Sequence, residues 1–110
     1  MIQVLQTPKT LREHRVIHTV LLAQLILWIV DQGYEVATNQ DGLKHMKNSL
    51  HYIGLADDLY LYKNGVYLKK SEEYAFAGEK WKTMHPLACW GGDFKAADGN
   101  HFSITYQGRK

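Results

Sequence analysis

The fold is decided around residues 59–68, which read LYLYKNGVYL. Aliphatic residues alternate with tyrosines over 59–62 and again over 66–68, which is typical of half-buried β-strands. Between them, Asn64-Gly65 favours a type I′ turn because both residues tolerate positive φ. The stretch therefore predicts a β-hairpin, and with it a sheet on which the rest of the chain packs.

A long helix is predicted before the hairpin. Thr10, followed three residues later by Glu13, forms a capping box, and the segment behind it is rich in helix formers until Gly33. Apolar residues recur at helical spacing at Ile17, Leu21, Leu25 and Trp28. The longest nearly apolar run covers 20–30, shorter than the about 20 residues that span a bilayer. We expect a buried core helix and no transmembrane segment.

The remaining elements complete an α+β pattern. Residues 34–37 alternate as a short strand, Ser71 with two acidic residues behind it predicts a helix that ends before Pro86, and 101–106 alternate as a closing strand. No repeat, linker or composition shift divides the chain. We expect one small domain over 1–110, with helices packed on a short antiparallel sheet.

Composition excludes several function classes. The 110 residues carry a net charge of only +2, and the basic residues are scattered, which argues against nucleic-acid binding. A single cysteine cannot form an internal disulfide, which excludes the cysteine-stapled exported class. The first residues do not resemble a signal peptide. We expect a monomer that is made in the cytoplasm.

Histidines and carboxylates beside the predicted strands suggest a metal site. A catalytic Zn²⁺ takes three protein ligands, drawn from His nitrogens and carboxylate oxygens, and leaves one position open. His51, Asp58 and His101 would supply that set. However, the chain has six histidines and 11 acidic residues, so spacing alone favours ordinary solvated side chains.

A family resemblance changes that balance. Residues 49–58, SLHYIGLADD, resemble the Ser-x-His-x-x-Gly-x-Ala-x-Asp signature of zinc peptidases that include D-alanyl-D-alanine carboxypeptidases, vancomycin-resistance D,D-dipeptidases and phage L-alanyl-D-glutamate endolysins. Residues 90–94, WGGDF, and 98–102, DGNHF, are similar to a run in the phage-type members. The long first helix also looks like theirs, so the resemblance covers most of 20–104.

The resemblance implies a fold like that of the hedgehog and D,D-peptidase domains, together with a set of site residues. His51, Asp58 and His101 become Zn²⁺ ligands, and Asp98 becomes the catalytic acid/base. The physical interpretation agrees, since a carboxylate near the metal but not bound to it can take a proton from water and return it to the leaving amine. The implied substrate is the stem peptide of peptidoglycan.

Substrate contacts are the least determined part of the prediction. Ser49 either hydrogen-bonds a ligand or substrate or makes a local turn bond. Trp90 either lines the cleft over the peptide stem or packs inside. The family's upstream arginine is missing, since no arginine lies between positions 15 and 109. Lys44 or Lys47 is expected to replace it as a point charge, without a bidentate fork.

Two acids compete with Asp98, and two further histidines have metal spacing. Asp57 precedes a ligand on a strand and should point to the opposite face, while Asp93 lies in the Gly-Gly bend and is as readily structural. His14 and His18 lie four residues apart on the first helix, where we expect an exposed face.

The function predicted from sequence is a phage-type endolysin that cuts the L-alanyl-D-glutamate bond and acts on the bacterial cell wall after release. It carries no separate wall-binding domain in this interpretation. A D,D-carboxypeptidase is the nearest alternative. A catalytically silent, zinc-stabilised binding module, as in the hedgehog signalling domain, is the alternative from another class.

Overall fold

The structure is a computed structural model and describes residues 3–38 and 49–110. Within these ranges the chain forms a small α+β domain of two α-helices and a five-stranded antiparallel sheet, with three short 3₁₀ helices. The α-helices are α1 (Leu11–Asp31) and α2 (Ala75–Met84). The strands are β1 (Glu35–Thr38), β2 (Ala56–Lys63), β3 (Val66–Tyr67), β4 (Ala88–Trp90) and β5 (His101–Ile104). The 3₁₀ helices are Leu50–Ile53, Ser71–Tyr74 and Gly91–Asp93. The predicted α+β class is confirmed at this level.

The longest strand, β2, organises the sheet. The order is β1-β2-β5-β4, and β3 also pairs with β2. The first half of β2 pairs with β5 and its last residues with β3, while β1 lies along its other edge. The predicted hairpin connects β2 and β3, with Asn64 at φ 52° and Gly65 at φ 77°. Both values lie in the left-handed region that a type I′ turn needs.

Helix α1 begins at the predicted capping box. The Thr10 hydroxyl accepts the Glu13 backbone N–H at 3.0 Å, and the Glu13 carboxylate accepts the Thr10 N–H at 2.9 Å. One face of the helix is buried in the core with residues from α2 and the sheet. That core includes Ile17, Leu21, Leu25, Ile29, Trp81, Phe102 and Ile104. The Trp81 indole N–H lies 3.1 Å from both the Cys89 and the Ser103 carbonyl oxygens, so its buried donor is satisfied.

The second helix differs from the prediction at its start. Residues 71–74 form a 3₁₀ helix, and α2 begins at Ala75. The Ser71 hydroxyl does not cap the helix because it accepts the Gly99 N–H at 2.9 Å instead. Strand β4, which the sequence analysis did not predict, is only three residues long and is held by pairing with β5.

Among the described residues, α1 is the one helix long and apolar enough to cross a membrane. The core helix of a soluble protein passes the same test of length and composition, and a third of its apolar window is buried inside this domain (33%). The absence of a transmembrane segment therefore stays a prediction.

Candidate metal centre

Strand register brings Asp58 and His101 together. The two residues are directly opposite each other on β2 and β5. The hydrogen bonds Leu59 N–H to Asn100 O, at 2.9 Å, and Ile104 N–H to Leu55 O, at 3.0 Å, place them at a non-hydrogen-bonded position of the ladder. Side chains at such positions approach most closely and share one face of the sheet.

His51 reaches the same place through a compact turn. The Ser49 hydroxyl accepts the His51 N–H at 3.2 Å and begins the 3₁₀ helix that carries His51. Gly54 ends that helix at φ 75°, a left-handed conformation that favours glycine, and the chain then enters β2. The seven-residue spacing between His51 and Asp58 is therefore made up of a 3₁₀ turn, the change of chain direction at Gly54 and the first residues of β2.

The three side chains converge on one point. Their possible ligand atoms all lie within 4.8 Å of one another. His51 Nε2 is 3.2 Å from His101 Nδ1 and 3.5 Å from Asp58 Oδ1. Donor atoms about 2.0–2.1 Å from a tetrahedral Zn²⁺ are about 3.3 Å apart, which is close to both distances. The three-residue group (His51, Asp58 and His101) can therefore hold a metal ion.

The chemistry of the three-residue group also suits a cation. Two imidazole nitrogens and one carboxylate match catalytic zinc sites both in the type of ligand and in the number of protein ligands, which is three. The side chains of His51 and Asp58 are 12% and 15% exposed, while His101 is buried. The Phe94 ring packs against His101 with centroids 5.1 Å apart, so one apolar neighbour limits the movement of that imidazole.

Close packing explains why the first residue of the Gly-Gly bend, Gly91, is a glycine. A Cβ atom there would lie 2.2 Å from the Asp98 carbonyl oxygen and 2.6 Å from the His101 Cβ. Its own carbonyl accepts the N–H groups of Phe94 at 3.0 Å and Asp98 at 2.9 Å. The bend thus packs directly on the turn that leads to His101, and any side chain at Gly91 would displace it.

Asp98 lies in that turn and is exposed. Its carbonyl accepts the His101 N–H at 3.1 Å, which fixes the turn from Asp98 to His101. It borders a hollow of about 220 Å³ whose other lining residues include Lys69, Ser71 and Asn100. Asp98 is not one of the three side chains whose possible ligand atoms all lie within 4.8 Å of one another.

Trp90 is buried, with only 6% of its surface exposed. A Cβ at Gly78 or at Gly92 would lie within 2.2 Å of its ring, and its indole N–H donates to the Gly99 carbonyl at 2.6 Å. This burial agrees with packing inside, one of the two predicted roles of Trp90, and contact with a peptide stem stays a prediction. Trp90 holds the turn before His101.

The other predicted substrate residues have different outcomes. The Ser49 hydroxyl makes the local bond to His51 described above, which was one of its two predicted roles; contact with substrate stays a prediction. Lys47 and Lys44 lie outside the described residues.

Both rival acids have partners elsewhere. Asp57 points to the opposite face from Asp58, as the strand alternation predicts, and its Oδ2 accepts the His18 Nε2–H at 2.8 Å. Asp93 forms an ion pair with Lys82 at 2.8 Å, and this pair and a second one with Glu79 raise the pKa of the lysine. Neither acid belongs to the three-residue group.

The expected exposure of His14 and His18 is wrong. Their exposed fractions are 7% and 2%. The His14 Nδ1–H donates to the Thr10 carbonyl at 2.6 Å and its ring packs edge-on against Tyr106, while His18 is held by Asp57. Each imidazole is buried and forms a hydrogen bond through one ring nitrogen with a partner that the fold supplies, and helical spacing alone cannot show that.

Arg15 is a site residue that the sequence analysis missed. Its Nε–H donates to the Ile53 carbonyl at 2.7 Å, and its side chain lies against Gly54. The bond ties the end of the His51-bearing 3₁₀ helix to α1. The two residues are 38 positions apart, so no local pattern signals the contact.

In comparisons with known proteins, no family model matches this chain, and no curated protein matches it either.

Proposed function

We propose that this chain is a zinc-dependent peptidoglycan peptidase of the endolysin type, which hydrolyses the stem peptide at the L-alanyl-D-glutamate bond. The observation that carries the proposal is the convergence of His51, Asp58 and His101 at distances that suit one tetrahedral ion. These are the positions at which the sequence resembles the ligand motifs of zinc peptidases.

Zn²⁺ bound by the three-residue group would supply a Lewis acid that lowers the pKa of water and polarises the scissile carbonyl. The protein's own residues prepare for that cation. The group offers two imidazoles and one carboxylate, and the β2–β5 pairing fixes Asp58 and His101, two of the three ligand residues. A preformed arrangement of this kind loses little freedom on binding an ion.

Asp98 is assigned the proton transfers. Its carboxylate takes a proton from the attacking water as the new carbon–oxygen bond forms, and delivers it to the amine nitrogen as the peptide carbon–nitrogen bond breaks. The products are one carboxylate end and one amine end. The exposed position of Asp98, beside His101 but outside the ligand group, supports this role.

The catalytically silent, zinc-stabilised module remains the competing proposal from another class. The lack of any arginine between positions 15 and 109 favours it, because a bidentate partner for a substrate carboxylate is missing. The retention of Asp98 favours the enzyme, because a purely structural metal site has no use for an additional carboxylate close to its ligands.

The test is mass analysis of purified peptidoglycan fragments after incubation with zinc-loaded protein. We expect new L-alanine carboxyl and D-glutamate amine ends, and their loss both with a chelator and in Asp98→Asn. Asp93→Asn is the matched control, since it changes an exposed acid in the same region that pairs with Lys82. It should retain activity, because Asp93 is neither a predicted ligand nor the predicted acid/base, and its carboxylate pairs with Lys82.

Other outcomes identify the alternatives. Loss of only the terminal D-alanine would indicate a D,D-carboxypeptidase. Intact fragments, with one zinc bound per chain, would overturn the peptidase proposal for this substrate and favour the silent module. Metal content measured on each sample separates a failure of catalysis from a failure of metal binding.

A further inference from the structure

The face of α1 that points away from the core is apolar and largely exposed among the described residues. Val16 is 52% exposed, Leu27 70% and Val30 51%. Ala23 is also exposed, and Val20 is partly exposed. No charged residue occurs between Arg15 and Asp31. A solvent-facing helix surface normally carries charges, so an apolar face of this length indicates an interaction surface.

These five residues have the spacing of a coiled coil. The outer seam, defined as Val16, Val20, Ala23, Leu27 and Val30, repeats with intervals of four, three, four and three residues. This is the heptad pattern that brings one helix against another. It spans about 21 Å of the helix at 1.5 Å per residue. The buried residues of α1 lie on the opposite face, so the seam is not used by the core.

The seam is self-complementary in an antiparallel arrangement. A two-fold axis beside Ala23 places Val16 next to Val30 of a second copy, and Val20 next to Leu27 of that copy. The small side chain of Ala23 lets the two helices approach where they cross the axis. An interface in which both copies use the same surface across a two-fold axis gives a closed dimer.

A hollow beside the seam fits the most exposed seam residue. The N-terminal segment and α1 enclose a volume of about 310 Å³, lined in part by Val4, Leu5, Val16 and Val20. In the antiparallel arrangement this end of the seam faces Leu27 of the second copy. Burial of a leucine side chain in an apolar pocket contributes to association.

The charges of α1 favour the antiparallel orientation. Its first two turns carry Arg12 and Arg15 against Glu13, and its last turn carries Asp31. The helix dipole adds positive character at the first end and negative character at the second. An antiparallel pair places unlike ends together, whereas a parallel pair places like ends together.

We propose that the outer seam of α1 is a homodimer interface between two copies of this chain. The proposal departs from the monomer expected from the sequence, and it does not depend on the metal site. A membrane surface is the other apolar partner to consider. A helix that lies on a membrane is typically rich in Lys and Arg along its polar face, and α1 has none between its two ends.

The first test measures molar mass by sedimentation equilibrium of the full chain at about 10 µM to 1 mM, the range for a small interface. We expect the mass to rise toward twice the monomer value, and Leu27→Glu to stay monomeric. Val66→Glu is the matched control because Val66 is 65% exposed but lies on the hairpin. It should dimerise as the unmodified chain does. A monomer throughout, or equal dimerisation of Leu27→Glu, would overturn the proposal.

A second test fixes the orientation. In a Cys89→Ser background, Ala23→Cys should form an intermolecular disulfide under mild oxidation, because a two-fold axis brings the two Cα atoms within bonding reach. Val66→Cys should not. Equal cross-linking of the two variants would overturn the antiparallel seam. The proposal would also be overturned if the unmodified chain stayed monomeric and floated with phosphatidylcholine–phosphatidylglycerol vesicles, and if Leu27→Glu abolished that flotation.

Discussion

Asp57 and Asp58 are neighbours on β2 but have different surroundings. Asp57 faces α1, where it accepts one hydrogen bond from His18 at 2.8 Å. Asp58 faces the other side of the sheet, with His51 Nε2 at 3.5 Å and His101 opposite it on β5. One side holds a single His–Asp pair at 2.8 Å. The other holds three groups around a common point, with the His51 and His101 nitrogens 3.2 Å apart.

The difference shows how number and spacing separate a structural pair from a ligand set. The single His18–Asp57 pair forms one hydrogen bond and links a helix to the sheet. Three donors about 3.2–3.5 Å apart, with only 12–15% of the His51 and Asp58 side chains exposed, suit a cation placed between them. The two adjacent carboxylates of β2 therefore differ in their surroundings: Asp57 supports the contact with α1, and Asp58 belongs to a group that can hold a metal ion.

Substitution of each aspartate in turn should give the largest difference in zinc affinity. Asp58→Asn should lower zinc affinity by about 100-fold or more, because it removes one of three ligands and the only negative charge of the group. Asp57→Asn should leave affinity within about threefold, since it changes the opposite face. Titration calorimetry on both variants, with metal content by mass spectrometry, measures the difference. Equal losses in the two variants would contradict the division of the strand.

The helix-facing pair should matter for stability. His18→Ala removes a side chain that is 2% exposed and leaves Asp57 without its hydrogen bond, at a cost of about 2–4 kcal/mol in the free energy of unfolding. Denaturant unfolding of the metal-free protein measures the cost. The folded fraction should still bind one zinc per chain; loss of binding would show that the two faces are not independent.

Substitution of Arg15 should have a smaller effect on zinc affinity. Arg15→Ala removes the 2.7 Å bond to the Ile53 carbonyl, so the His51-bearing 3₁₀ helix is less firmly placed. We expect zinc affinity to fall by about tenfold, the scale of residues that position metal ligands. Arg12→Ala is the control, because Arg12 is exposed on the same helix. Equal affinities for the two variants would remove Arg15 from the account of the site.

The smallest effect concerns the cap of α1, the helix that carries His18. Hydrogen bonds from the backbone N–H groups of Thr10 and Lys9 lower the pKa of Glu13 from its ordinary value. A lowered pKa in the folded state gives stability that is present above the unfolded pKa and is lost as the pH falls through the folded pKa. Glu13→Gln should therefore melt slightly lower than the unmodified chain at pH 7, and the gap should narrow on acidification. Thermal melts at pH 7 and pH 3 test this, and a constant gap would be contrary to it.

Local sequence predicted most of the elements. The capping box, the apolar periodicity of α1 and the Asn-Gly turn act within a few residues, so the helix and the hairpin match the prediction. Strand β4 and the 3₁₀ start before α2 depend on distant partners, namely β5 and Gly99. A local pattern contains no information about those contacts.

The candidate site was predictable in part for the same reason. The motifs around His51, Asp58 and His101 identified the residues, but only the β2–β5 register shows that they meet. Burial was harder to predict. His18 was expected to be exposed and is not, and Trp90 lies between glycines inside the domain, because both depend on partners far along the chain.

The most direct test is a crystal of the zinc-soaked protein measured at the zinc absorption edge. The account predicts one strong anomalous peak, about 2.0–2.2 Å from one nitrogen each of His51 and His101 and from one Asp58 oxygen. A peak beside His18 and Asp57, or no peak at the three-residue group, would contradict the claim that this face of β2 binds metal.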